Sequence, residues 1–373
     1  MAPNPNLQRL HDAGVSIWLD TLSRDLLQGG EFAELISDYS VTGATSNPTI
    51  FAKALSGSDL YDDQLREVAG RGERNTQELF FALALDDIRD AARLLRPTYD
   101  ATAGIDGLIS FECTPDLADD TDGTIAQAWD LWRRLDRPNV MIKVPGTEAG
   151  LPAIEELTRR GVNINITLLF SIERYEHVID AYQRGLSARV EAGEPIDGIT
   201  SVASFFLSRI DTKVDKQLPE DSPLRGRIAV ASARVAYQRF LHKFSGAEWE
   251  ALKAKGARIQ RPLWASTGTK NAAYSDTLYV AELIGPDVIN TMPEQTVQAF
   301  AEHGQVARTL DRDPAEAEQT LADASAAGID LRTVTDELER EGVKTFDDSY
   351  AQLSAGIESK LEAVAVGAPS SDD

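Results

Sequence analysis

Val140-Met141-Ile142-Lys143-Val144-Pro145-Gly146-Thr147 reads as a short, wholly apolar strand with one lysine near its carboxyl end, stopped at once by Pro145-Gly146. Apolar residues on both faces suit a parallel strand covered by helices. Alternation sends Met141 and Lys143 to one face and Val140, Ile142 and Val144 to the other. A lysine so placed either snorkels out of the sheet or sits, partly desolvated, over the open end of a barrel or sheet. Desolvation favours the neutral amine, which is the form a Schiff-base nucleophile needs. On this stretch alone, a plain structural lysine remains open.

Working outward, seven more short strands are expected over residues 16–20, 41–45, 107–113, 162–167, 198–203, 262–266 and 287–291. Helical sequence follows each of them. It includes a long excursion over residues 59–69 and 76–95, where Leu79, Phe80, Leu83, Ile88 and Ala92 recur at helical spacing. Further helices are expected over residues 4–11, 31–38, 124–135, 149–160, 171–191, 224–244 and 247–255, and the tail from Glu294 is mostly helical. Eight strands alternating with helices predict an α/β fold of the (β/α)8 TIM-barrel type. Extra helices are expected at the amino terminus, between strands two and three, and at the carboxyl terminus. No linker-like boundary or repeat appears, so one domain over residues 1–366 and a disordered tail over 367–373 are expected.

The chain has 373 residues, and its 37 Lys+Arg against 60 Asp+Glu give a net charge of −23. Such a protein repels nucleic acid and anionic membranes, so an anionic substrate needs a local positive pocket. Cys113 is the only cysteine, which excludes an internal disulfide and fits a reducing cytosol. Residues 1–14 lack the basic start and apolar run of a signal peptide, and no apolar run approaches the ~20 residues of a membrane span. The expectation is a soluble, cytoplasmic monomer or homodimer.

Asp20, Asn47, Glu112, Lys143, Asn165, Thr167, Ser204 and Ser266 all fall at or just beyond the carboxyl ends of the expected strands. In a barrel those ends converge on one rim, where barrel enzymes keep their chemistry. Singly, each has a bland reading. Asp20 or Ser204 would cap a helix, Asn47 before Pro48 would form a turn, and Glu112 would be solvated. Together, a lysine and two carboxylates suit imine chemistry on a carbonyl substrate. The amine attacks, one carboxyl group shuttles protons, and the second takes a hydroxyl proton as a carbon–carbon bond breaks. His11, His177, His242 and His303 show no metal-ligand spacing, and no Gly-rich nucleotide loop follows a strand. Neither a metal nor a cofactor is expected.

Four motifs, in order, resemble the transaldolase family. They are Thr45-Ser46-Asn47-Pro48-Thr49-Ile50-Phe51, Met141-Ile142-Lys143-Val144-Pro145-Gly146-Thr147, residues 163–171 (Asn-Ile-Asn-Ile-Thr-Leu-Leu-Phe-Ser) and residues 204–211 (Ser-Phe-Phe-Leu-Ser-Arg-Ile-Asp). The similarity spans about residues 16–293 and is greatest to the longer branch, which also occurs fused to a glucose-6-phosphate isomerase; no such second domain fits here.

The resemblance implies that Lys143 forms the imine with a ketose donor and Asp20 is the acid/base at the broken bond. Glu112 would work through a water held with Thr167. Asn47 and Asn165 would bind substrate hydroxyls and guard the dihydroxyacetone carbanion from water. Ser204 and Arg209 would hold the phosphate, with Phe206 shaping the wall. Many relatives carry a Ser-x-Arg pair after strand seven. Here Ser266 precedes Thr267-Gly268-Thr269-Lys270, so Lys270 is the candidate for that charge, as a point charge without arginine's fork.

The implied reaction transfers a dihydroxyacetone unit from sedoheptulose 7-phosphate to glyceraldehyde 3-phosphate, in the non-oxidative pentose phosphate pathway. Two rivals remain. A fructose-6-phosphate aldolase would release the dihydroxyacetone, but that smaller branch tends to have a tyrosine where Glu112 stands. A non-catalytic sugar-phosphate-binding scaffold would have lost the lysine or carboxylates, and all are present.

Overall fold

The structure is a computed structural model that describes residues 3–46 and 48–366. Asn47, expected to touch substrate, and residues 367–373, expected to be disordered, lie outside the described residues.

The amino-terminal part comprises α1 (Pro5–Asp12), β1 (Val15–Leu19), α2 (Arg24–Gln28), α3 (Glu31–Asp38), β2 (Val41–Thr45), α4 (Pro48–Gly57), α5 (Asp62–Gly70) and α6 (Thr76–Ala101). Next come β3 (Leu108–Glu112), α7 (Thr121–Leu135), β4 (Val140–Pro145), α8 (Gly150–Arg159), β5 (Ile164–Leu169) and α9 (Ile172–Glu191). They are followed by β6 (Ser201–Phe206), α10 (Ser208–Val214), α11 (Ile228–Lys243), α12 (Gly246–Lys253), β7 (Gln260–Ala265), α13 (Leu278–Ala281) and β8 (Val288–Met292). The chain ends in α14 (Glu294–His303), α15 (Pro314–Ala326) and α16 (Leu331–Val366). The eight strands are parallel and close in sequence order into a barrel, as expected, with helices added at both ends and between β2 and β3.

Local chemistry sets many of these boundaries. The Asn4 side chain accepts from the amides of Asn6 and Leu7 with Pro5 in the first turn, and Ser171 accepts from the Arg174 amide to start α9. Several boundaries differ from expectation by a few residues, and two of the differences have a local cause. Helix α6 runs through Pro97 to Ala101 instead of stopping at Leu95, although an interior proline removes an amide and crowds the carbonyl four residues back, and its Thr102 cap amide still bonds the Thr98 carbonyl. Strand β6 starts at Ser201 rather than 198, because Gly198 has φ 88° and is still turning, and it continues through Phe205 and Phe206.

The amino-terminal end of the barrel is sealed. Asp106 accepts from the Trp18 indole at 2.8 Å and from the Ser16 hydroxyl, while buried Arg261 donates to Ser16 Oγ at 2.6 Å and to the Val288 carbonyl at 2.9 Å. Trp18 pairs in register with Gly43, where a Cβ would sit 2.4 Å from the indole. Only glycine leaves room for that ring. At the other end, α16 lies across the strand ends. A Cβ on Gly342 would be 2.9 Å from Leu168 Cδ2, and Ser349 Oγ is 2.7 Å from Thr49 Oγ1. Lys213 pairs with Glu337 and Glu341, and Lys360 with Asp62, holding the helix in place.

Candidate active site

Lys143 stands on β4 between Glu112 of β3 and Asn165 of β5, its partners in the strand register. Register partners in parallel strands share a face, so all three point the same way. That face is the barrel interior, because its bonds skip strands: Asn165 Nδ2 of β5 donates to Ser110 Oγ of β3 at 3.0 Å. Lys143 Nζ donates to Glu112 Oε2 at 3.2 Å and reaches the Ser46 carbonyl at 3.5 Å. Lys143 is 5% exposed and Glu112 7%. The solvated reading of Glu112 is therefore wrong. Burial pushes its carboxyl group above the usual carboxylate range, opposed by the Lys143 charge, so it can hold a proton beside the amine.

Asn165 is fixed on both sides, since its Oδ1 accepts from Ser204 Oγ at 2.7 Å. Ser204 is thus inside β6 and is not the cap of a helix; its hydroxyl is spent on orienting Asn165. Thr167, in the carboxyl-terminal half of β5, is fully buried, and its hydroxyl has no hydrogen-bond partner among the described residues. Such an orphan costs about 1–3 kcal/mol unless something arrives to bond it. The next residue, Leu168, has φ 61° at a register shift between β5 and β6. Bulges of this kind re-aim side chains beside active sites.

Asp20 follows β1, with its amide donating to the Met292 carbonyl and its carboxylate accepting from Thr21 Oγ1 at 3.1 Å. It is not a helix cap: Ser23 caps α2 by accepting from the Leu26 amide. Burial raises its pKa, against the hydrogen bond from Thr21 and the charges of Lys270 and Lys143.

Arg209 lies in the first turn of α10, partly buried, with its guanidinium 5.6 Å from the Phe206 ring centroid. No carboxylate is within ion-pair distance of it among the described residues. Phe206 in turn packs on Phe170, with ring centroids 5.3 Å apart. Ser208, which sequence reasoning passed over, begins α10, and its Oγ lies 2.8 Å from Ser266 Oγ. Lys270 is exposed, on a loop fastened to α10. Tyr274 donates to Asp215 at 2.6 Å and Tyr279 to Asp211 at 2.8 Å. These Asp–Tyr ties have no motif and were not legible in advance. Asn47, the other expected contact, lies outside the described residues.

A closed parallel barrel with a buried lysine–glutamate pair at its carboxyl end suits an enzyme of the class I, imine-forming aldol type. More narrowly, the chain belongs to the transaldolase/fructose-6-phosphate aldolase family, whose profile matches residues 17–357. It is similar to the transaldolase of Acidothermus cellulolyticus, 50% identical over 361 residues that cover 95% of this chain and 97% of that one. The transaldolase of Saccharopolyspora erythraea is 49% identical over 366 residues, and that of Mycolicibacterium smegmatis 48% over 369; each alignment covers 97% of this chain and 99% of the relative.

Proposed function

We propose that this protein is a transaldolase acting through an imine on Lys143. It takes a dihydroxyacetone unit from sedoheptulose 7-phosphate and gives it to glyceraldehyde 3-phosphate, forming erythrose 4-phosphate and fructose 6-phosphate in the non-oxidative pentose phosphate pathway. The observation that carries this reading is the buried Lys143–Glu112 pair, 3.2 Å apart inside the barrel mouth.

The Lys143 amine adds to the donor ketone, and Glu112 supplies the proton with which the carbinolamine loses water. The unbonded Thr167 hydroxyl is suited to hold that water. Asp20 removes the proton from the hydroxyl next to the scissile bond. The carbon–carbon bond then breaks, and its electrons pass into the protonated imine. Burial, by raising the Asp20 carboxyl, makes it a better base for this step. After the acceptor aldehyde binds, the same steps run backwards and water frees the ketose. Asn165, locked by Ser110 and Ser204, keeps one amide hydrogen for a substrate hydroxyl. Arg209 grips the phosphate, Ser266 and Ser208 line that end, and Lys270 adds charge from its loop.

The partners are sugar phosphates, and we read the enzyme as a cytoplasmic monomer or homodimer folded as one unit over residues 1–366. No helix among the described residues is long and apolar enough to cross a membrane. The test is incubation with fructose 6-phosphate, with and without erythrose 4-phosphate. Transfer to the acceptor with little free dihydroxyacetone supports a transaldolase, whereas release at the same rate without acceptor makes it an aldolase.

A further inference from the structure

Helix α16 presents a buried stripe at Gly342, Phe346, Ser349 and Leu353, while Lys344, Thr345, Asp347 and Asp348 around it are exposed. The spacing is that of one helix face. Gly342 lies against Leu168, Phe170 and Arg209, and Ser349 bonds Thr49. Between them Phe346, 6% exposed, sets its ring 5.7 Å from Lys143 Nζ.

We propose that Phe346 is the roof of the reaction chamber and decides whether the bound three-carbon unit is transferred or lost to water. This rests on Lys143 forming the imine. After the carbon–carbon bond breaks, the unit is held as an enamine on that nitrogen. A water reaching it would give a proton to the nucleophilic carbon, forming a C–H bond. The resulting imine would then take up water and leave as free dihydroxyacetone, regenerating the amine. An aromatic face tolerates the cationic imine at this distance but offers neither a proton nor a seat for water. Phe346 acts by exclusion and is a positioning residue, whereas Glu112, 3.2 Å from the amine, is the group that carries protons.

The test measures free dihydroxyacetone release against transfer to erythrose 4-phosphate, together with borohydride trapping at Lys143, in the native enzyme, Phe346→Ala, Phe346→Gln and Phe346→Leu. The Ala and Gln variants should raise the release-to-transfer ratio about tenfold or more while still trapping, and Leu, an apolar roof without the ring, should stay within about threefold of native. The Gln variant fills more of the space than Ala and covers the case in which Ala fails to fold. Equal losses of release and transfer in Ala and Gln, or an unchanged ratio, would overturn the roof. A Leu variant as leaky as Ala would also overturn it. Native enzyme that transfers without trapping at Lys143 would instead overturn the imine reading, and the roof with it.

Discussion

Lys143 Nζ and Glu112 Oε2 lie 3.2 Å apart on neighbouring strands, both shut off from solvent. A buried pair of this kind is a weak source of stability, because desolvation offsets most of the attraction. Its value is chemical, since a proton can pass between the two groups as the amine attacks.

Glu112→Gln keeps the shape and removes the proton carrier. The expected result is a fall in kcat of about 10²–10⁴-fold. Slow borohydride trapping should persist, because Lys143 is intact. Steady-state and single-turnover rates check this, and an unchanged kcat would remove Glu112 from the mechanism.

Arg209 carries its charge without a carboxylate partner among the described residues. Arg209→Ala should raise KM for a phosphorylated donor by about 10–100-fold, in line with loss of one or two charge-assisted hydrogen bonds. Unphosphorylated donors should change far less. Lys270→Ala, on an exposed loop, should cost less than Arg209→Ala. Equal losses with phosphorylated and free sugars would move the phosphate site elsewhere.

Asp211 ties α10, and hence Arg209, to Tyr279 and the amide of Ala229. Burial raises its carboxyl group from 3.8 to about 6. The folded state therefore binds this proton more tightly than the unfolded chain. Its contribution to stability is present below the ordinary pKa and is lost as pH rises through about 6. Relative to Asp211→Asn, native stability should fall by about 1–1.5 kcal/mol between pH 5 and pH 7.5. Urea unfolding of both proteins measures it. A difference flat with pH, or rising, would contradict the assignment.

Local signals explain how much of this was readable from the chain. Strand β2 was expected over the residues it occupies, and Lys143 was found because Pro145-Gly146 marks a strand end. Alternation set Lys143 apart from Val140, Ile142 and Val144, and the structure puts it in register with Glu112 and Asn165. Ser204 was misjudged because the serine before Phe205-Phe206 looks like a helix start, while those aromatics extend the strand. Helix α4 was missed after Asn47-Pro48, which reads as a turn. Phe346 left no trace at all. Its role depends on α16 crossing the barrel mouth, a contact about 200 residues away in sequence that periodicity does not encode.

The most direct measurement is reduction with borohydride in the presence of fructose 6-phosphate, followed by peptide mass analysis. A mass increase of a reduced dihydroxyacetone adduct on Lys143, absent from Lys143→Ala, is the predicted result. A label on any other lysine, or donor cleavage that continues in Lys143→Ala, would contradict the account.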